Sequence, residues 1–458
     1  MLGRASAVGT RARTKAGALR ARIGKRSKVI GRRAGRTGLF PAVVFALGFG
    51  LVVAIVSNGF LRWITPTSAD AAAPIDITRV SLTIVAGVGG IVALVIAYRR
   101  QRDIEQSRFV ERFGAAAAQL GASDVAVRIA GVYAMAGAAD ESDGLRRQQC
   151  IDVLCGYLRL PYDPDHGRSG RTKLVTTIPR VDSGQDRGET EEHLEYRQND
   201  REVRQTIVRV IAGHLQPEAE YCWSTSNFDF RTAHFEEAAF DAATFSGRTW
   251  FDKATFDGRT WFDKATFDGP TGFDGATFNG GAAFGGVSFH GRTGFSEAIF
   301  NDNAEFHTAT FDGEAVFYRA TFNGHAKFPK ATFTEAAGFY RARFNGHARF
   351  HSASFNGGTV FHGATFNGHA GFDETTFDEA ADFGKAMFNG PAGFGGVAFS
   401  GPTTFSNTDF GSERITFDAP QRWGPPAPEF DWDQQVAEKP MNIEPQDWPP
   451  AATPAQGR

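Results

Sequence analysis

Three histidines stand at an interval that chemistry could use. His325, His347 and His369 each close an Asn-Gly-His triplet, and they recur every 22 residues. A column of imidazoles raises the question of a metal site. If 22 residues make one coil of a stacked chain, neighbouring imidazoles stand ~4.8 Å apart. That is too far for two of them to share a zinc ion held at ~2.1 Å unless the backbone moves. The expectation is a solvated row of turn side chains with no metal and no cofactor, and His351 and His362 do not change it. Trp250 and Trp261 flank phenylalanines and are candidates for contact with a partner, since tryptophan is enriched among interface hot spots. No nucleophile, base and orienting acid recur together, and no phosphate loop, nucleophile elbow or carboxylate pair is evident, so no enzyme is expected. Cys150, Cys155 and Cys222 fit neither a disulfide framework nor a zinc pattern and are read as reduced thiols, two of them inside a helix.

The elements that must carry these residues are written in phenylalanine, 43 of 458 residues. Residues Arg248–Gly258 and Arg259–Gly269 are the same eleven residues, RTWFDKATFDG, twice over. One set of phenylalanines runs Phe245, Phe256, Phe267, Phe278, Phe289, Phe300, Phe311, Phe322 and on to Phe410. A second runs Phe251, Phe262, Phe273, Phe284, Phe295, Phe306, Phe317, Phe328 and on to Phe405, also at intervals of eleven. Two residues before each stands Ala, Thr or Val, as in Ala254 before Phe256 and Thr260 before Phe262.

A helical coiled coil also has an eleven-residue period. Residues five apart on a helix differ by roughly 140°, however, so the two phenylalanine sets would not share a face. Asn279-Gly280, Asn345-Gly346 and Asn367-Gly368 are turn signals as well. Small residue, any residue, Phe is a period of two, with both inward side chains on one side of an extended segment. Such segments joined by turns stack into a β-solenoid. Sides alternate between five and six residues, so an odd number of sides would break the ladder. Two leave no room for the rings and six leave a hollow. Four sides give 22 residues per coil, the interval of the histidines. The extra residue of each six-residue side is expected to form a bulged corner where Gly or Asn supplies positive φ.

On these residues the chain resembles the pentapeptide-repeat proteins, whose central residue in each five is Leu or Phe with a small residue two before it. The resemblance covers residues 225–418 and implies a right-handed, four-sided parallel β-helix of nearly nine coils, spanning ~40 Å at ~4.8 Å per coil. It departs from the family pattern in the regular sixth residue.

Upstream the sequence suggests a membrane protein. Residues 1–37 carry twelve Arg or Lys and no acid. This basic tail is expected to be disordered and attracted to anionic lipid rather than to nucleic acid. Leu39–Leu61 and Val80–Tyr98 are uncharged apolar runs, each long enough for a bilayer core of ~30 Å. With Arg99, Arg100 and Arg102 after the second run, residues 38–100 read as a two-helix hairpin. Both its ends, and so the repeat, would lie on the cytoplasmic side of the cell membrane. The two spans and the helical middle also look like membrane-anchored actinobacterial members of the family. Residues 101–218 read as a helical adaptor with a mobile polar linker near 161–199. Its helices are expected over Asp103–Gly121, after an N-cap at Ser123-Asp124, and over Asp143–Leu160 and Asp200–Leu215. The last of these would cap the solenoid. Residues 419–458 are a Pro-rich tail whose Trp423, Phe430 and Trp432 would cover its other end, unless that end pairs with a second copy.

The expected function is a membrane-anchored, non-enzymatic scaffold presenting a rod to a protein partner. Family members that mimic DNA and bind type II topoisomerases offer an alternative reading. Between Phe228 and Phe417 there are 22 acids and 14 bases, a net of −8 (22 − 14 = 8). The bases Arg248, Lys253, Arg259, Lys264, Arg341, Arg343 and Arg349 interrupt the acidic surface that mimicry requires.

Overall fold

The computed structural model describes residues 74–167, 173–182, 185–195 and 199–453, with scattered residues between 48 and 63. The chain divides into two compact units, Met1–Arg108 and Phe109–Arg458. The basic tail of residues 1–37 lies outside the described residues, as does nearly all of the first apolar run.

The second run, Val80–Tyr98, does not form a separate span. It is part of helix α1, Pro74–Leu120, which continues without a break through Arg99, Arg100, Arg102 and Asp103. No proline or glycine lies between Gly90 and Gly114 to stop it. The expected helix over Asp103–Gly121 is the last part of this same element. Among the described residues no helix is long and apolar enough to cross a membrane. The two transmembrane helices and the multi-pass cell-membrane placement are thereby corrected.

Among the described residues three further helices of more than one turn precede the repeat, α2 (Val125–Asp140), α3 (Gly144–Leu158) and α4 (Asp200–His214), with a single helical turn at Pro164–Gly167. The Asp124 carboxylate caps α2, accepting from the Ala126 and Val127 backbone N–H groups at 2.8 and 3.1 Å. Ile151, Leu154 and Leu158 of α3 and Val203, Ile207 and Ile211 of α4 are fully buried, whereas Leu145 is 83% exposed and does not join them. Cys150 and Cys155 are buried and free, and burial pushes the Cys150 thiol up to about 11, far from the reactive thiolate. The expected mobile linker instead contains an antiparallel pair, β1 (Lys173–Asp182) and β2 (Gln185–Glu195). The β-branched run Val175–Ile178 forms the first strand, although charge dominates the composition around it.

The repeat is a column of four parallel sheets with nine, nine, eight and ten strands of two residues each. Taken in chain order, the first face contains Thr249–Trp250, the second Thr255–Phe256, the third Thr260–Trp261 and the fourth Thr266–Phe267. Through the body of the column every strand pairs with the one 22 residues on, as Phe267 with Phe245 and Phe289. Backbone N–H groups donate from coil to coil, for instance Phe251 to the Gly272 carbonyl at 2.7 Å.

Inside, each face contributes a stack of rings. Phe256 and Phe278 are 4.6 Å apart with planes within 2°, and Phe245 and Phe267 are 4.7 Å apart, also within 2°. Across the axis the first and third faces meet edge to face, as Phe273 on Phe284 at 5.7 Å and 88°. These are the two arrangements that the ring quadrupole favours. None of the sixteen phenylalanines from Phe245 to Phe328 is more than 1% exposed, and Ala254, Thr260 and Ala265 close the gaps between them. Each buried ring contributes ~2–3 kcal/mol of apolar transfer before its ordering entropy is charged against it.

The corners differ from expectation. Positive φ falls at the second residue after each phenylalanine of the first and third faces, whatever its type: Lys253 (56°), Lys264 (58°), Gly275 (66°), Arg319 (54°). The Asn-Gly corners are not left-handed. Glycine is favoured there because coils nearly touch: a Cβ on Gly269 would stand 2.3 Å from the Gly247 carbonyl oxygen, although Asp302, Glu335 and Glu379 take the same position in other coils.

Both ends are closed. Below, the Thr244 and Ser246 N–H groups donate to the carbonyls of Leu215 and Ser224, both at 2.8 Å, and Trp223 is wholly buried. Above, Phe430 stacks on Phe405 at 4.6 Å, Trp423 meets Phe399 edge-on, and Trp448 meets Phe417 likewise. Trp432 is 6% exposed against Phe410.

Candidate interaction surface

With the phenylalanines turned inward, the residue between the small side chain and each ring faces outward. These middle positions form rows of fixed spacing. The first face presents Trp250, Gly272, Gly294, Val316, Gly338, Val360 and Asp382. The third presents Trp261, Ala283, Glu305, Lys327, Arg349 and Gly371. The second and fourth are mainly Thr and Ser, interrupted on the second by Ile299, Arg343 and Met387.

Trp250 and Trp261 therefore stand on opposite faces and do not form one patch. Each is partly buried beneath a guanidinium, Arg231 over Trp250 and Arg259 over Trp261, both 5.8 Å from the ring centre.

The three histidines do form one column, on the corner between the second and third faces. The His325 and His347 rings stack at 4.7 Å and 7°, while His369 is turned edge-on to His347 at 6.2 Å. The His347 N–H donates to Nδ1 of His325 at 3.1 Å, and the His369 N–H donates to Nδ1 of His347 at 3.0 Å. An Nδ1 that accepts a backbone N–H cannot also carry a proton, so this geometry selects the neutral ring. Burial holds His325 below its ordinary value, helped by the charges of His347, Arg349 and Lys327. Burial also lowers His369, against the attraction of Asp373. With Nδ1 of His325 and of His347 engaged to the chain, the column serves to hold coils together.

Two further columns escaped the sequence reading. Beside the same corner an amide ladder runs from Asp257 through Asn279, Asn301, Asn323, Asn345, Asn367 and Asn389. Each Nδ2 donates to the oxygen one coil below at 2.7–2.8 Å. On the corner between the first and second faces Tyr318, Tyr340 and His362 stack at 5.8 and 5.5 Å with planes within 9°. Arg319 and Arg341 lie over the two tyrosines. The signal for both columns was available in the sequence. Asn follows Phe every 22 residues, and Tyr318 and Tyr340 are 22 apart. The eleven-residue period of the phenylalanines concealed it.

Comparison with known proteins agrees with this geometry. The family model for pentapeptide repeats (9 copies) matches residues 262–310, 306–354 and 350–397, so the chain carries pentapeptide repeats over this stretch. No match was found among curated proteins or among solved structures. The resemblance to membrane-anchored actinobacterial members gains no support.

Proposed function

We propose that the repeat column is a non-enzymatic scaffold that displays side chains in fixed rows for recognition by other proteins. One observation carries the reading. A rigid, fully packed interior holds outward residues at one-coil intervals on four flat faces, so a partner meets a preorganised surface whose ordering cost is already met. The outward rows are neutral or mixed in sign. Glu305, Lys327 and Arg349 follow one another on the third face, and the second and fourth are hydroxyl-rich. A DNA mimic needs one uninterrupted acidic face, so this arrangement favours a protein-binding scaffold over mimicry.

The test is photo-cross-linking in cells, with the reactive residue placed in turn at Trp250, Thr255, Trp261 and Thr266, one per face. A discrete protein adduct from at least one face is expected. The absence of any adduct from all four faces, at native expression levels, rules the scaffold reading out.

A further inference from the structure

Charge is not spread evenly along the column. Residues 336–372 contain no Asp or Glu, although 22 acids lie between Phe228 and Phe417. Within this band stand Arg341, Arg343 and Arg349 and four histidines, His347, His351, His362 and His369. Arg341 and Arg343 are exposed, and neither forms an ion pair among the described residues, whereas Arg319 one coil below pairs with Glu297 at 3.6 Å. The Arg319 N–H donates to the Tyr340 carbonyl, and the Arg341 N–H donates to the His362 carbonyl, which puts the two arginines in register on one corner. Arg343 projects from the adjoining second face between Thr321 and Thr365. Behind the arginines lies the stacked Tyr318–Tyr340–His362 column, and across the same face the amides of Asn323, Asn345 and Asn367.

Resting on the scaffold reading above, we infer that this corner and the second face beside it dock an extended, acidic segment of a partner protein. Two unpaired guanidiniums two residues apart match the carboxylates of residues i and i+2 on a strand, ~7 Å apart, and guanidinium forks hold carboxylates bidentately. The tyrosines supply apolar area, and Tyr340 holds the Arg341 side chain over its ring, which reduces the rotamer freedom that side chain loses on binding. The number of cations separates this occupant from a nucleic acid. Two exposed guanidiniums free of acidic partners among the described residues match a pair of carboxylates, whereas Arg319 below them is already paired with Glu297, and binding to a phosphate backbone draws on a longer run of basic contacts.

The probe is a decapeptide with Glu at alternate positions and a photoreactive residue at its centre, incubated with the full chain. Cross-links are expected to map to residues 318–369 and to fall at least tenfold in Arg341→Gln/Arg343→Gln. They should also weaken with salt and resist a single-stranded DNA decamer. Cross-links that persist in the double variant, or that concentrate on the basic segment Arg4–Arg36, overturn the inference. So does displacement of the peptide by DNA. Sedimentation showing self-association that the double variant abolishes would assign the patch to a second copy, and likewise refute it. Should the Gln variant not fold, Arg341→Lys/Arg343→Lys keeps the charge and removes the fork, with a several-fold loss expected. Failure here is distinguishable from failure of the scaffold reading, since adducts from Trp250, Thr255, Trp261 or Thr266 would remain.

Discussion

Gly280 lies so close over Gly258 that a Cβ on it would stand 2.7 Å from both the carbonyl carbon and the oxygen of Gly258. The obstruction is backbone, which no rotamer change relieves. Gly280→Ala is therefore expected to cost about 1–3 kcal/mol, the range of overpacked sites. Gly275 sits at φ +66°, but Lys253 occupies the same turn one coil below at 56°, and Lys264 the equivalent turn at the opposite corner at 58°. Gly275→Lys is expected to stay within about 1 kcal/mol of the parent, because the turn tolerates a side chain and the unfolded chain loses freedom. Chemical denaturation of the two variants decides the matter, and the reverse order would show that corner conformation, not coil spacing, demands glycine.

That contrast marks what the sequence made legible. Phe256, Phe262 and their companions two residues earlier reveal the inward pattern directly, because a period of two with a ring at every repeat has few packings. The coil length followed from the alternation of five and six. The glycines were misassigned because Asn-Gly signals both left-handed turns and tight stacking, and only the height of the coil below distinguishes them. Val80–Tyr98 misled for a different reason. An apolar run reports local composition, whereas the end of a helix depends on whether anything stops it, and nothing does before Leu120. Arg341 and Arg343 carried no signal against twelve other bases of the repeat until the fold placed one on a corner and the other on the face beside it.

The amide ladder gives a second test. Asn323 donates to Asn301 at 2.8 Å and its Oδ1 accepts from Asn345 at 2.7 Å. Asn323→Asp retains the acceptor but sets a carboxylate against the Asn301 oxygen. A lost bond of about 0.5–1.5 kcal/mol plus that repulsion is expected to lower stability by roughly 1–2 kcal/mol at neutral pH. Acid that protonates the new carboxyl should restore part of it. An unchanged melting temperature would mean that the ladder is decoration.

The histidine column predicts a pH dependence with a definite sign. His325 and His369 are depressed in the folded chain below their ordinary value of 6.5. Between the folded value and 6.5 the unfolded chain binds more protons, so stability rises with pH across that window. Cooling-corrected denaturation from pH 8 down should be flat to about pH 7 and then lose stability on acidification. His325→Asn/His347→Asn/His369→Asn should flatten that limb. A wild-type profile that gains stability on acidification below 6.5 contradicts the geometry, since a charged ring cannot accept the next coil's N–H.

The lower cap hangs on one buried carboxylate. Asp200 accepts from Arg128 at 2.6 Å and from the Tyr157 hydroxyl at 2.5 Å, and Arg128 is wholly buried. Burial, with the Asp200 charge adding to it, raises the Tyr157 hydroxyl, which keeps it a donor. Asp200→Ala takes this carboxylate from the buried Arg128 and from the buried Arg204, 3.7 Å away, for an expected cost of about 3–5 kcal/mol, whereas Arg128→Met/Asp200→Leu should recover only part of it because Arg204 still loses Asp200. In a stack whose coils touch only their neighbours, the loss should appear first where α4 meets the column. Hydrogen exchange in Asp200→Ala is then expected to quicken at Thr244 and Ser246, whose N–H groups donate into the cap, and to leave Thr310 and Thr332 protected. Uniform loss of protection along the whole column would instead show that cap and solenoid unfold as one unit.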